Sequence, residues 1–325
     1  MTNKERYYHL CEAEEYDIPL FLQYWWMDLV CHGKQWDVAL SVGSNGEVLG
    51  AMPYLIGSKM GMRYVLQPQL TQYNGPWYNY ASLRHGSDEA VSEYQRLGFE
   101  KRTAADLIAQ ISALRLSCFC QCFSPEITNW QPFYEQGFSQ TTRYTYRIND
   151  ISDPQRVFAA FTDKRRQKIL HADGYTSLSE SDDAEWFADF HIAYWRSKGQ
   201  SDLLPRQFMI GLCREAISRH AGAILRLCDE EEKVLAAIFV VFDKRCAYLL
   251  LSANSVEQYR NENMSILIWK ALQWLSSKCR AFDFEGSMIP GKEQFNRSFG
   301  AIQTPFFQVS RYSNPLIEWI VKHKR

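Results

Sequence analysis

Parts of the second half of this chain repeat the first, and that constrains its fold more than any other feature. Cys118-Phe119-Cys120-Gln121-Cys122-Phe123 and Ala281-Phe282-Asp283-Phe284-Glu285-Gly286 read as short apolar strands, 163 positions apart (118 to 281). At that same offset Gly137-Phe138-Ser139-Gln140-Thr141 meets Gly300-Ala301-Ile302-Gln303-Thr304. Upstream, Glu47-Val48-Leu49-Gly50-Ala51 answers Lys233-Val234-Leu235-Ala236-Ala237 at a longer offset. Amphipathic strands resemble one another by chance. A shared spacing from the strand through the G-x-x-Q-T stretch argues instead for a duplicated domain. The 325 residues allow two domains of ordinary size. The turn-forming segment 149–154, which ends in Pro154, divides them into 1–150 and 151–325.

Hydrophobic periodicity predicts a similar order of elements in each part. In the first, a helix over 18–30, capped by Asp17 and closed by Gly33, precedes a hairpin of strands 36–42 and 48–56 around Gly43-Ser44-Asn45-Gly46. A strand over 62–66, an aromatic loop over 68–77, and a helix over 87–114 broken near Gly98 follow. Then come a strand (116–123), a short helix (127–136) and a strand (138–148). In the second, helices over 154–173, 183–198 and 206–220 lead to strands at 224–228, 234–242 and 246–252. A helix (264–278), a strand (281–285), a helix (290–299), a strand (302–311) and a last helix (315–322) complete it. Hairpins mixed with crossover helices predict an α/β (α+β) fold, with two tandem domains that are each a mixed, mostly antiparallel sheet flanked by helices.

Several function classes lack support. With 36 basic and 37 acidic residues the net charge is −1, so no global field draws the chain to DNA or anionic lipid. The longest apolar run, 234–242, is about half of a membrane span, and the polar start does not read as a signal peptide, so a cytoplasmic protein without membrane insertion is expected. Nine cysteines, none in a C-x-x-C pair, argue against a disulfide framework. Cys118, Cys120 and Cys122 alternate on one strand face about 7 Å apart and read as core packing. The seven histidines show no metal-ligand spacing, so no metal is expected. G-x-S-x-G, Walker and G-x-G-x-x-G motifs are absent.

The element order and its duplication resemble the GNAT acyltransferase fold in the tandem form of the Fem-type (FemAB-like) family. Phe282-Asp283-Phe284-Glu285-Gly286-Ser287, followed by Phe295-Asn296-Arg297-Ser298-Phe299-Gly300-Ala301, is similar to that family's FDF-x-G-S and F-K/R-x-x-FGA. Asp163-Lys164-Arg165-Arg166-Gln167-Lys168-Ile169 resembles its K-x-R-x-x-I segment, and Gly75-Pro76 its loop after the N-terminal sheet. The similarity spans about 36–311 and is specific in its last part. It implies transfer of an acyl group from acyl-CoA, or from aminoacyl-tRNA, to an amine or hydroxyl of a small or phosphorylated cell-envelope precursor. The donor and catalytic site would lie in the C-terminal domain, and the N-terminal domain would supply structure and an acceptor-side loop. Where GNAT enzymes place R/Q-x-x-G-x-G/A, this chain has Arg260-Asn261-Glu262-Asn263-Met264-Ser265, with Asn263 and Ser265 at Gly positions. Asn tolerates positive φ and Ser is small, so Arg260, Asn261, Asn263 and Ser265 are the expected donor-phosphate residues. The departure at those positions also leaves a non-catalytic binding or assembly protein on a degenerate GNAT scaffold as the alternative.

Acyl transfer needs a proton acceptor, donors for the developing oxyanion and a positioned carbonyl. Glu285 ends an apolar strand at the sheet's carboxyl edge, where α/β sheets bind ligands, and reads as base or acceptor contact, or as a structural cap. Asp283 shares its face, and Tyr259 is a candidate proton donor. The oxyanion donors are expected in the backbone near 251–254. Arg165 and Lys168 lie in the dense basic cluster and read either as a phosphate clamp, for an acceptor diphosphate or tRNA, or as a solvated helix face. Gln72, Tyr73 and Trp77 read as an acceptor-pocket wall or as packing between the halves, and Ser287 as a substrate contact. His191 and Trp195, four apart on a helix, read as packing.

Overall fold

The first helix, α1 (Asn3–Glu12), starts on a capping box in which the Thr2 hydroxyl accepts from Glu5 N and the Glu5 carboxylate from Thr2 N. Its apolar periodicity is weak, so the cap is its clearest signal in the sequence. The computed structural model describes all residues except 14–15, 32, 84–90, 202, 261, 287, 289–290 and 324–325, and leaves undescribed the side chains of 172–173 and 322–323. After α1 come α2 (Tyr24–Cys31), β1 (Gln35–Val42), β2 (Val48–Lys59), β3 (Met62–Leu66), β4 (Trp77–Tyr78), α3 (Glu93–Ala113), β5 (Cys118–Cys122), α4 (Gln131–Glu135) and β6 (Ser139–Ile148). The chain continues through α5 (Pro154–Ala159), α6 (Asp163–Asp173), β7 (Ser177–Ser181), α7 (Ala184–Ser197), α8 (Arg206–Ser218), β8 (Gly222–Cys228), β9 (Val234–Phe242) and β10 (Cys246–Asn254). It ends with α9 (Asn263–Leu275), β11 (Ala281–Asp283), α10 (Lys292–Arg297), β12 (Ile302–Tyr312) and α11 (Pro315–His323).

Several expectations change; the helix read over 154–173, for one, is two, α5 and α6. The helix read over 18–30 is a 3-10 turn at Leu20–Leu22 and then α2, because Gln23 is extended (ψ 140°) and its side chain donates to Ile18 O. Gly98 does not break α3: its cost of about 1 kcal/mol is outweighed by the burial of Phe99, Leu107, Ile108 and Ile111. α1, β4 and β7 were not anticipated. β7 is polar apart from Leu178 and is defined by its antiparallel pairing with β8.

The chain divides into two compact units, Met1–Arg143 with Pro305–Arg325, and Tyr144–Thr304. The first contains the order β1-β2-β3-β5-β12, with β4 on β2. Its hairpin partners are antiparallel, β3 and β5 are parallel, and β12 closes antiparallel to β5. Leu107, Ile108 and Ile111 of α3 pack there with Phe119, Phe123 and Phe133. In the second unit the order is β7-β8-β9-β10-β11-β6, with the same sequence of an antiparallel hairpin, a parallel pair (β10, β11) and an antiparallel outer strand (β6). The mixed, mostly antiparallel α/β architecture is therefore present twice. β5 and β11 are the strands that the repeat aligns. The outer strand of each unit comes from the other part of the sequence, since β6 leaves the first unit at Arg143 and the chain rejoins it at Pro305.

The second core forms where α9, apolar on nearly every side, lays Ile266, Leu267, Ile268, Ala271, Leu272 and Leu275 with Leu225, Ile238, Val240 and Phe282. Gly300, in the F-G-A stretch, holds φ at +70°, and a Cβ there would meet Ala160 O at 2.8 Å and Ala160 Cβ at 2.9 Å. Gly300→Ala is therefore expected to destabilise by more than about 1 kcal/mol, read as a lower urea midpoint with an unchanged slope. An unaltered midpoint would show that this turn tolerates a side chain.

Candidate active site

β10 and β11 run parallel but pair over three positions only: Cys246↔Ala281, Ala247↔Phe282 and Tyr248↔Asp283. Beyond them β11 ends, while β10 continues to Asn254 through an irregularity between Leu249 and Leu251. A bulged strand bends and leaves an unpaired residue, so a cleft opens at the carboxyl ends of these strands. The cavity in it, about 570 Å³, is lined by residues 249–252 of β10, Phe284, Glu285 and Gly286 after β11, Met264 and Ile268 of α9, Phe295 and Asn296 of α10, and His191 and Trp195 of α7. Trp195 Nε1 donates to Ser252 O (3.0 Å) and fixes α7 against β10.

The turn after β11 is held by a closed set of hydrogen bonds. Asp283 is fully buried, and its Oδ1 accepts from Thr145 Oγ1 (2.5 Å) and from Glu285 N (2.8 Å). Thr145 Oγ1 in turn accepts from Gly286 N (2.9 Å), and Arg147 Nε lies 3.8 Å from Asp283 Oδ2. These bonds keep both Glu285 (φ 55°) and Gly286 (φ 40°) left-handed. A β-branched or bulky residue would strain there, and the Asp283 side chain supplies the local bond that offsets the cost for Glu285.

Glu285 is partly exposed as a residue, but its Oε1 is buried without a hydrogen-bond partner. Burial, and secondarily the charge of Asp283, push its carboxyl well above the usual carboxylate range. His191 has a buried Nδ1 that likewise lacks a partner, and burial brings its imidazole down to about 4. At neutral pH the imidazole is therefore neutral, beside a carboxyl whose proton affinity is raised. Two groups in one cavity whose environment favours their neutral forms make it a candidate proton-handling site. Sequence reasoning assigned His191 to packing; its ring does lie near Phe187 and Trp195, at 6.0 and 6.2 Å. The i, i+4 spacing of His191 and Trp195 was the signal that both reach one face.

The other expected residues are dispersed. Asp283 does not line the cavity and anchors its turn. Tyr259 is 45% exposed, stacked with Tyr194 and under Lys198 Nζ at 4.1 Å, and is not among the lining residues. Asn263 is not left-handed, contrary to expectation. It opens α9 in helical conformation, and its side chain donates to Gln258 O (2.9 Å). Ser265 is buried and bonded to Arg165, whose guanidinium also donates to Ser298 and lies 4.7 and 4.6 Å from the rings of Phe295 and Phe299. Arg165 thus ties α6 to α9 and to the end of α10. Lys168 pairs with Glu262 at 3.0 Å, and with Arg260 and Asn263 it lines a second cavity, about 940 Å³, also bordered by Asp229 and Glu230. Asn261 and Ser287 lie outside the described residues. In the first unit Tyr73 and Trp77 are buried, against Phe21 and Phe306 and against Tyr16 respectively, and Gln72 is half-buried. Among the described residues no three metal-ligating side chains cluster, and no helix is long and apolar enough to cross a membrane.

Residues 158–297, which contain the cleft, match the acetyltransferase (GNAT) domain family. No curated protein sequence matches the chain. Among solved structures the chain is similar to FemX (TM-score 0.67, 12% identity, 94% of this chain and 96% of that chain). It is also similar to L-PGS from Bacillus licheniformis (0.55, 11%, 90% and 88%) and to a tandem GNAT protein from the clavulanic acid biosynthesis pathway (0.50, 10%, 87% and 85%). At such identities the likeness is one of fold. Residues 158–297 thus match the acetyltransferase (GNAT) domain family, and the chain has a fold similar to that of FemX and of a tandem GNAT protein.

Proposed function

We propose that the protein transfers an acyl or aminoacyl group from acyl-CoA, or from aminoacyl-tRNA, to an amine or hydroxyl of a small or cell-envelope precursor, acting in the cytoplasm. The observation that carries this reading is the unpartnered carboxyl of Glu285 in the cleft where β10 and β11 part, inside the segment that matches the GNAT family. The likeness in fold to FemX and L-PGS supports a cell-envelope acceptor and keeps a tRNA-borne donor in view. The second unit supplies the chemistry, and the first serves as structure and acceptor-side surface.

Each part of the reaction has a group for it. Backbone N–H groups of β10 beside the irregularity at 249–251 are free of the parallel ladder and are suited to a developing oxyanion. Glu285, once ionised, is a stronger base than an ordinary carboxylate because its proton affinity is raised, and it takes the proton of the attacking group. Asp283 and Thr145 hold Glu285 in place. Arg260, with Lys168 in the second cavity, is the remaining candidate for donor phosphates, since Arg165 is already bonded to Ser265 and Ser298. Incubating the purified protein with acetyl-CoA, or with charged tRNA, and amine or hydroxyl acceptors tests the reading: transfer or specific binding of one donor is expected, and neither from either donor would remove it.

Glu285→Gln is expected to lower kcat by tenfold or more, within the roughly 10²–10⁴ range of general base catalysis. The wild-type rate should rise with pH through an apparent pKa above the ordinary carboxylate range, and the variant should lose that limb. Stability moves the other way. A carboxyl with a raised folded-state pKa contributes fully below its unfolded value and loses that contribution as pH rises. Gln escapes this loss, so the variant should melt higher than wild type near neutral pH and no higher at pH about 4. Equal melting at both would mean that Glu285 is solvated and ionised.

Thr145→Val deletes the hydroxyl between Asp283 and Gly286 N, which removes one of the two hydrogen bonds to Asp283 Oδ1 and the partner of the part-buried Gly286 N. A loss of about 1–3 kcal/mol is expected from urea unfolding, with a fall in kcat. Thr145→Ser should restore both, and loss in the Ser variant equal to that in Val would assign Thr145 to packing.

A further inference from the structure

One end of the sheet in the first unit carries a surface that the chemistry of the cleft does not use. The β2–β3 hairpin turns there through Met60 and Gly61, with Lys59 opposite Met62 and Ser58 opposite Arg63. Arg63 O accepts from Ser117 N (2.8 Å), and Ser117 O accepts from Ser313 N (3.0 Å). The starts of β3 and β5 and the end of β12 therefore lie side by side, about 4.8 Å apart. α11 begins two residues after Ser313, at Pro315. Arg115 is exposed next to Leu114, whose carbonyl accepts from Arg63 Nη1 (3.0 Å). Lys34 is exposed just before β1, whose first residue, Gln35, pairs with Ile56 of β2. Hairpin tip, Arg115, Lys34 and the root of α11 thus share one edge. Segments 33–35, 56–66, 113–117 and 312–321 contain four bases, Lys34, Lys59, Arg63 and Arg115, and one acid, Glu318. In sequence Lys322, His323, Lys324 and Arg325 follow, outside the described side chains. The same edge is apolar at its outermost points. Met60 is 89% exposed on the turn, and Leu316 and Trp319, three apart and so on one side of α11, are 66% and 58% exposed.

We propose that this edge docks the protein peripherally on an anionic lipid bilayer. Met60, Leu316 and Trp319 enter the headgroup layer, and Lys34, Lys59, Arg63 and Arg115 meet the lipid phosphates. The proposal is independent of the cleft and of the group transferred there. Apolar tips and a basic patch are each a weak membrane signal, and together they suffice for reversible binding without a spanning segment. A Trp with one side in water is at home in the interfacial layer. The net charge of −1 does not oppose docking. Charges beyond a Debye length, about 8 Å at physiological salt, are screened, so the membrane meets the charge of this edge and not that of the whole chain. The order of the groups decides for a lipid surface over a nucleic acid. Lys59 and Arg63 stand behind the turn, on the strand ends, while Met60 stands in front of them. A phosphate backbone would satisfy the cations and leave Met60, Leu316 and Trp319 with nothing to bury against. A bilayer takes both, phosphates at the depth of the cations and acyl chains beyond.

The test is cosedimentation of the full chain with vesicles of phosphatidylcholine, alone or with about one-third phosphatidylglycerol, in low and high salt. Binding to the anionic vesicles is expected to be at least about tenfold tighter than to phosphatidylcholine, and to weaken with salt. Lys59→Gln should bind about fivefold more weakly. Lys101→Gln removes the same charge from α3, about 18 Å along the helix from Ala113, and should bind like wild type. Met60→Asn keeps the charge and tolerates the left-handed backbone of the turn (φ 52°), and should bind at least about fivefold more weakly. All three replaced side chains are exposed, so each variant should melt as wild type does. Equal affinity for the two kinds of vesicle, equal loss in the two lysine variants, or undiminished binding by Met60→Asn would overturn the proposal. Binding to polyuridylate but not to vesicles would also overturn it, and would assign the edge to nucleic acid.

Discussion

Where β11 stops, the carboxylate of Asp283 takes hydrogen bonds from Thr145 on β6 and from the backbone of Glu285, and Thr145 Oγ1 accepts one from Gly286 N. The whole cleft depends on this arrangement. It ends one of two parallel strands while its neighbour β10 runs on, and that difference in length creates the opening. It also forces Glu285 into a left-handed conformation and leaves its carboxyl inside a largely apolar cavity. The raised proton affinity of Glu285 follows from that position, since a carboxylate with no partner in a low-dielectric site favours its neutral form. Asp283 Oδ1 thus accepts two hydrogen bonds, whereas Oε1 of the Glu285 it holds has none.

The duplicated architecture could be read from residues because the repeat lies in strands and turns that both units need. The spacing of β5 and β11, and the starts of β2 and β9, came from packing demands that act twice on one topology. The exchange of outer strands could not be read in the same way. β6 and β12 carry the same apolar alternation whichever sheet they join, so periodicity says that each is a strand and is silent on its neighbour. β7 was missed for a related reason. Its Ser and Glu residues give no apolar pattern, and only the exposed hydrogen-bonding edge of β8 makes it a strand.

The site was legible to the extent that its residues sit in recognisable chain geometry. Glu285 stood out because a carboxylate directly after an apolar strand, beside Gly286, has to emerge at the sheet edge. His191 did not, because a histidine on an amphipathic helix looks the same from its sequence whether its ring is bonded or unanswered. Only burial without a partner separates the two cases. The basic cluster shows the opposite limit. Arg165 has the composition of a phosphate ligand, yet its guanidinium already bonds Ser265 and Ser298 between two aromatic rings. Asn263, at a position expected to need a left-handed residue, is helical and pins the start of α9 instead. The partners of Arg165 lie 100 and 133 positions away in sequence, whereas that of Asn263 lies 5 away, in the turn before α9.

The central claim is that burial of Glu285 Oε1 without a partner raises the proton affinity of its carboxyl well above that of an ordinary carboxylate. Following the δ-carboxyl ¹³C resonance of Glu285 through a pH titration, with Glu285→Gln to assign it, tests that claim without any knowledge of donor or acceptor. The account predicts a resonance that remains that of the protonated acid well above the range in which surface glutamates titrate. A resonance that titrates together with them would contradict it, and the cleft would then lack the group on which its chemistry has been built.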